Sequence, residues 1–156
     1  MKLQKFEVID NYERLSKIIF TNFIDLQYQP GIQFSIDSIR DDLISPNLLG
    51  WFLINEENKI VGYMVGNKKR LNDGRRVYYI SYFFIVESYR NTGLGKEMMI
   101  NCINYIKNIN IPFILLTTEI NSNAYNLYKK FGFGFDPLIK VDNSNYAALT
   151  YYCNNT

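Results

Sequence analysis

Histidine is absent from the 156-residue chain, and cysteine occurs only twice. The lack of histidine removes the Ser/His/Asp and Cys/His arrangements of nucleophilic catalysis, and with no cysteine cluster it leaves no ligand set for a zinc centre. A proton acceptor, if the chain needs one, must be a carboxylate, a phenol, a backbone group or water. Cys102 and Cys153 each lie inside an apolar or aromatic segment, which suggests neither a disulfide framework nor a metal site. An excess of one charge is also lacking. Seventeen Lys and Arg against 15 Asp and Glu leave a net +2, too little field to predict a nucleic acid or membrane partner. No apolar run reaches the length of a membrane-spanning helix, and Met1-Lys-Leu-Gln-Lys-Phe-Glu7 has no signal-peptide core. A cytoplasmic location is therefore expected.

Aromatic residues are plentiful, with 13 Tyr and 11 Phe, and this excess reads as an aromatic core and rim. The length suits a single domain over residues 1–156, with no internal repeat or linker. The most informative stretch begins with the strand-like run Val77-Tyr-Tyr-Ile-Ser-Tyr-Phe-Phe-Ile-Val86 and ends in a helical pattern of Leu94, Met98, Cys102 and Ile106. Gly93 and Gly95 lie between the two, where a backbone free of Cβ atoms can approach a ligand closely. The first amides of the following helix lack intrahelical partners and form a natural anion site. The segment fits neither GxxxxGK[ST] nor GxGxxG; what remains is Arg90-x-x-Gly93-x-Gly95.

Along the rest of the chain, Leu3 to Ile9 reads as a first strand. A helix capped by Asp10 and Glu13 should run to about Gln27, with Tyr12, Leu15, Ile18, Ile19, Phe23 and Leu26 on one face. Pro30-Gly31 breaks the chain, and Ser35 caps a second helix that stops at Ser45-Pro46. Trp51–Ile54 and Ile60–Val65 form a hairpin, and Asn72-Asp-Gly74 turns into the central strand. The surrounding Lys68, Lys69, Arg70, Arg75 and Arg76 read as solvated charge, or else as a contact for phosphate or nucleic acid. Phe113–Thr118 is a further strand. Asn121 can cap a last helix that ends at Gly132, and Phe133–Lys140 and Asn145–Tyr152 complete the set. The predicted order is β α α β β β α β α β β.

The Arg90 to Lys96 segment, together with Asn121-Ser-Asn-Ala124-Tyr-Asn-Leu127-Tyr128-Lys-Lys-Phe-Gly132-Phe133 one strand later, resembles the GNAT family of N-acetyltransferases. In that family [RQ]-x-x-G-x-[GA] and N-x-x-A-x-x-L-Y-x-x-x-G-F occur in this order. The resemblance implies a single-domain α/β (α+β) fold, with a mixed, mostly antiparallel sheet of about seven strands and four helices, opening between the central strand and the next. It implies acetyl-CoA as co-substrate, without metal, and direct transfer to a primary amine on a small molecule or peptide. A homodimer is possible. Arg90, Asn91, Thr92, Gly93, Leu94, Gly95 and Lys96 would cradle the pyrophosphate. Backbone groups of Phe84, Ile85 and Val86, with the amides near Phe84 and Val86 foremost, would meet the pantetheine arm along with Asn121, Ala124 and Tyr128. Tyr128 would serve as general acid, since a phenol near pKa ~10 stays protonated beside a thiolate of pKa ~8.5. The pattern departs at Ser88, where the family often has proline, and in the central strand, which holds no carboxylate. Ser81, Tyr82 or Glu119 would then take the proton through an ordered water, with Glu119 the one carboxylate in range and, on its other reading, an exposed charge before the Asn121 cap. The acceptor itself should border residues 26–45 and 141–146. The alternatives are a non-catalytic acyl-CoA-binding module on the same fold, and nucleic-acid binding through the basic hairpin.

Overall fold

The computed structural model describes residues 1–153, so the last three residues of the expected domain lie outside the described residues. The elements are β1 (Lys2–Phe6), α1 (Tyr12–Asn22), α2 (Ile36–Ile44), β2 (Leu48–Ile54), β3 (Ile60–Arg70), β4 (Arg76–Ile85), α3 (Leu94–Asn108), β5 (Phe113–Glu119), α4 (Asn123–Phe131), β6 (Gly134–Phe135) and β7 (Tyr146–Tyr152). Their order is the predicted one. The seven strands form one sheet in the order β1-β2-β3-β4-β5-β7-β6, antiparallel except where β4 and β5 run parallel.

Each face of the sheet carries its own apolar layer. On one face, Met98, Met99, Cys102, Ile103 and Ile106 of α3 pack on Trp51, Met64, Tyr78 and Ile80. Burying a side chain of this size contributes about 1.5–3 kcal/mol. The Tyr78 phenol is wholly buried, and its hydroxyl donates to the Leu49 carbonyl at 2.6 Å. On the other face, Leu15 and Ile19 of α1 and Ile39 and Leu43 of α2 cover Leu48, Tyr63, Val65 and Tyr82.

Several boundaries differ from the sequence-based expectation. β1 stops at Phe6 rather than Ile9. Asn11, not Asp10, caps α1 by accepting from the Arg14 amide, and Glu13 reaches across to Arg40 at 3.1 Å. That helix ends at Asn22, and Ile24–Tyr28 continues as a tighter 3₁₀ turn. Ile18 is 42% exposed rather than inward. Ser35 caps α2 as expected, in reciprocal bonds with Ser38. The strand expected over Phe133–Lys140 is reduced to Gly134–Phe135, because Pro137 lacks an amide and Asp136 turns the chain by accepting from Leu138 N at 3.0 Å.

Asp136 also corrects the reading of the basic hairpin as solvated charge at one position, Arg75, while Lys69, Arg70 and Arg76 are exposed as expected. Its carboxylate is bound by Arg75 at 2.7 Å and by the Thr150 hydroxyl at 2.6 Å, and Arg75 pairs with Asp73 at 2.9 Å. This staple ties the β3–β4 turn to the last two strands. Burial raises the pKa of Asp136, but the bonds from Arg75, Thr150 and Leu138 outweigh it and hold the carboxyl below the usual range. Asp136→Ala should therefore cost about 2 kcal/mol in urea unfolding, since it removes the charged bonds from Arg75 and Thr150 and leaves Arg75 only its pairing with Asp73. A depressed folded-state pKa stabilises above the unfolded value of about 3.9, so the gap between wild type and variant should be full above that pH. It should close as pH falls through the lowered pKa.

Candidate active site

The site begins where β4 stops pairing with β5. The parallel ladder runs only from Val77↔Phe113 to Ile80↔Leu116. On its other side β4 pairs Tyr82 with Val65 and Ile80 with Gly66, which leaves Ser81 as an extra residue in a β-bulge. Beyond that bulge, residues 81–85 of β4 and 117–119 of β5 face each other without pairing, and the expected opening of the sheet lies here.

Bond alternation along β4 decides which groups face the gap. The Val86 amide donates to Val61 O at 2.8 Å, and the register pairs Phe84 with Tyr63 and Ile85 with Gly62. Alternate residues of an antiparallel strand point their backbone groups to opposite sides. Phe84 and Val86 are thus committed to β3, while Phe83 and Ile85 face the opening. The expectation that the Phe84 and Val86 amides meet a ligand is corrected by one residue.

After β4, a 3₁₀ turn at Glu87–Tyr89 leads into the glycine loop. Asn55 fastens that turn by donating from Nδ2 to the Tyr89 hydroxyl at 3.1 Å. Asn91 at φ 60 and Gly93 at φ 85 take left-handed conformations around Thr92, whose hydroxyl bonds back to Tyr89 O at 2.8 Å. Gly93 caps α3 with no side-chain bond, and the first helical donor to the cap carbonyl is Glu97 N, at 3.0 Å. The amides of Leu94, Gly95 and Lys96 therefore have no helical acceptor and stand at the positive end of a 15-residue helix. The two glycines act differently. Gly93 is required by its φ, whereas a Cβ at Gly95 would make only ordinary contact with Ile85 Cδ1 at 3.4 Å, so packing within the chain does not demand glycine there. Arg90 donates from Nε to the outward-facing Ile85 carbonyl at 2.7 Å, and its guanidinium lies 5.1 Å from the centre of the Phe84 ring.

The opening between β4 and β5 continues into a cleft of about 760 Å³. Its lining includes Phe83, Glu119, Ala124 and Tyr128, together with residues from 26–42 and 139–146. Asn143 Nδ2 donates to Pro30 O at 2.9 Å across the mouth, and Gly31 packs so closely on Asp142 that a Cβ would collide with its carbonyl. Tyr128, 8% exposed, packs on Phe133, and its hydroxyl has no hydrogen-bond partner among the described residues. Burial raises this phenol's pKa, so it stays protonated.

The remaining expected residues separate. Glu119 lies at the end of β5, exposed to solvent and paired in register with Tyr146, whose phenol is raised by burial first and then by the charge of Glu119. Asn121 is not the cap of α4: it takes φ 66, and Ser122 caps instead, its Oγ accepting from Tyr125 N at 3.0 Å. Sequence reasoning also missed a carboxylate. Asp42 of α2 reaches the same cleft, half-buried, and accepts from the Tyr82 hydroxyl at 3.3 Å. Burial raises its pKa, opposed by Lys69 and the Tyr82 bond, with Asp41 adding to the rise. Glu119 is therefore not the one carboxylate in range. The sequence signals for Asp42 were its place within residues 26–45, expected to border the acceptor, and an acidic pair, Asp41-Asp42, beside the inward Leu43.

A parallel pair opened by a bulge, with an amide-rich helix start at one end and a phenol at the other, defines an acyl-CoA transferase architecture. The chain belongs to the acetyltransferase (GNAT) family, whose profile matches residues 13–133. Among solved structures it resembles the GNAT acetyltransferase of Staphylococcus aureus Mu50, at 18% identity and TM-score 0.70, covering 98% of this chain and 100% of that one. It also resembles Arabidopsis thaliana NAA60 in complex with acetyl-CoA, at 14% identity and TM-score 0.68 over 97% and 98%. Tetrahymena GCN5 aligns at 15% identity and TM-score 0.69 over 100% and 98%. No curated protein matches at the sequence level.

Gly93→Ala should lower stability by about 1–2 kcal/mol through its left-handed φ, while Gly93→Asn should cost less, because asparagine tolerates that region. Equal losses in thermal denaturation would show that the conformation of residue 93 is not what requires glycine.

Proposed function

We propose that the chain transfers the acetyl group of acetyl-CoA to a primary amine by direct attack within a ternary complex. The observation that carries this reading is Tyr128, a buried phenol with no hydrogen-bond partner among the described residues, lining the cleft that continues from the sheet opening. In this reading the amides of Leu94, Gly95 and Lys96 and the Arg90 guanidinium hold the pyrophosphate. The outward backbone of Phe83 and Ile85 pairs with the pantetheine arm as a missing strand would, and supplies a donor to the acetyl carbonyl. Asn91, Thr92 and Gly93 shape the loop, and Ala124 presents a small side chain at the arm. Tyr128 gives its proton to the departing thiolate.

Arabidopsis NAA60 has been solved with acetyl-CoA and with a bisubstrate analogue, and a further neighbour is an Escherichia coli ribosomal-protein alanine N-acetyltransferase. These support amine acetylation as the reaction type. Family membership and the unpartnered phenol together favour an enzyme over a passive acyl-CoA carrier.

Thermal unfolding tests the cofactor half of the proposal: acetyl-CoA and CoA should both raise the melting temperature by mass action, and ATP should not. Tyr128→Phe tests the chemistry. Thiol release should fall about 100-fold, the usual scale for losing a general acid, with the acetyl-CoA shift retained. Unchanged turnover would remove Tyr128 from that role. Because burial raises this phenol, its deprotonation should produce no alkaline loss of activity below about pH 10.

A further inference from the structure

Asp42 is a poorly satisfied carboxylate inside a cleft. It accepts a single hydrogen bond, from the Tyr82 hydroxyl at 3.3 Å, although a carboxylate offers about four acceptor positions. No cation pairs with it among the described residues, for the nearby Lys69 ammonium lies over the Tyr79 ring, 4.8 Å from its centre. The cleft lining as a whole presents four carboxylates, Asp41, Asp42, Glu119 and Asp142, against two ammonium groups, Lys69 and Lys140. That balance is opposite in sign to the chain's net +2. An acidic cleft in a weakly basic protein draws in a cationic guest.

Accepting the acetyltransferase reading above, we propose that Asp42, held by Tyr82, docks the acceptor's ammonium and takes its proton, so that the acceptor is a cationic primary amine. The position of the two residues supports this. Tyr82 lies immediately after the Ser81 bulge, on the sheet face covered by α1 and α2, and so flanks the gap from the acceptor side. Glu119 is more exposed, and water weakens its hold on a cation. Burial makes Asp42 a stronger base than a solvated aspartate.

The step balances. The ammonium gives one proton to Asp42, and the freed nitrogen lone pair forms the C–N bond to the thioester carbon. The C–S bond breaks with its electron pair on sulfur. Tyr128 protonates that sulfur and recovers a proton from the acylated nitrogen, and Asp42 releases its own to water. The products are an amide, a thiol and one proton.

The carboxylate is faced by Lys69 from β3, by Tyr82 from β4 and by Asp41 on its own helix, with Glu119, Asp142, Lys140 and Tyr146 farther along the cleft. Its protonation should set the acid limb of kcat/KM, with activity falling as pH drops through a value above that of a solvated aspartate. Removing the Tyr82 hydroxyl takes away a bond to the charged form and should move that limb to higher pH.

The test measures thiol release from acetyl-CoA with two probes, n-butylamine, a cation at neutral pH, and hydroxylamine, which is already largely neutral there. Asp42→Asn should lower kcat/KM for n-butylamine about 100-fold and leave hydroxylamine within about threefold, with the acetyl-CoA thermal shift intact. Tyr82→Phe should keep the fold and shift the acid limb upward. Undiminished n-butylamine transfer in Asp42→Asn, or an equal loss with both probes, overturns the proposal while the enzyme reading stands. A wild type that uses hydroxylamine but no n-butylamine overturns it as well. If Asp42→Asn fails to fold, an unmoved acid limb in Tyr82→Phe overturns it alone. A wild type that binds acetyl-CoA yet releases no thiol with either probe defeats the catalytic reading, and this proposal with it.

Discussion

The rest of the structure depends on β4 and β5 ceasing to pair after four residues. Parallel strands normally continue their ladder, because unpaired backbone groups in a sheet interior are costly. Here the Ser81 bulge bends β4 away, and Phe83 and Ile85 are left presenting a strand edge inside the molecule rather than at its rim. An extended ligand with amides of its own satisfies such an edge as a neighbouring strand would. The α3 start lies just beyond it, because Asn91 and Gly93 turn the chain within three residues. A strand edge and a helix start are thereby aligned along one path.

A chain without histidine must do its proton chemistry with groups whose ordinary pKa values lie far from neutrality. Burial shifts each in a useful direction. Tyr128 is held more firmly protonated, and Asp42 becomes a stronger base than a solvated carboxylate. The two come from helices on opposite faces of the sheet, α4 and α2, and line one cleft only because the opening passes through it. The Asp136–Arg75–Thr150 staple serves stability instead. It fixes the turn after β3 to β7, which in turn pairs with β5 along the far side of the gap.

How far the candidate site was legible varied with the range of the interaction. Gly93, Gly95 and Arg90 declared themselves through short-range spacing, and Tyr128 through the resemblance and the apolar stripe it shares with Leu127 and Phe131. The gap-facing backbone groups lie one residue from where they were expected, since strand composition carries no information on which side each backbone group points. Asn121 yielded its capping role to Ser122 because the chain takes a left-handed step at residue 121. Asp42 fell within the 26–45 stretch expected to border the acceptor but was not singled out there: an acidic pair beside a buried leucine is ordinary for a surface helix, and nothing local tells which of the two carboxylates enters the cleft.

By itself the sequence determined the order of strands and helices, the glycine-rich turn into α3 and the absence of histidine from the chain. Each follows from composition, from periodicity or from contacts within a few residues. Only the tertiary structure decided that Ser81 is the bulged residue, that Phe83 and Ile85 face the gap, that Arg75 is a staple rather than solvated charge, and that Asp42 and Tyr82 share the cleft with Tyr128. Those facts depend on pairing register and helix docking. Both are set by burying two apolar layers at once, between residues as much as 61 positions apart in the case of Arg75 and Asp136.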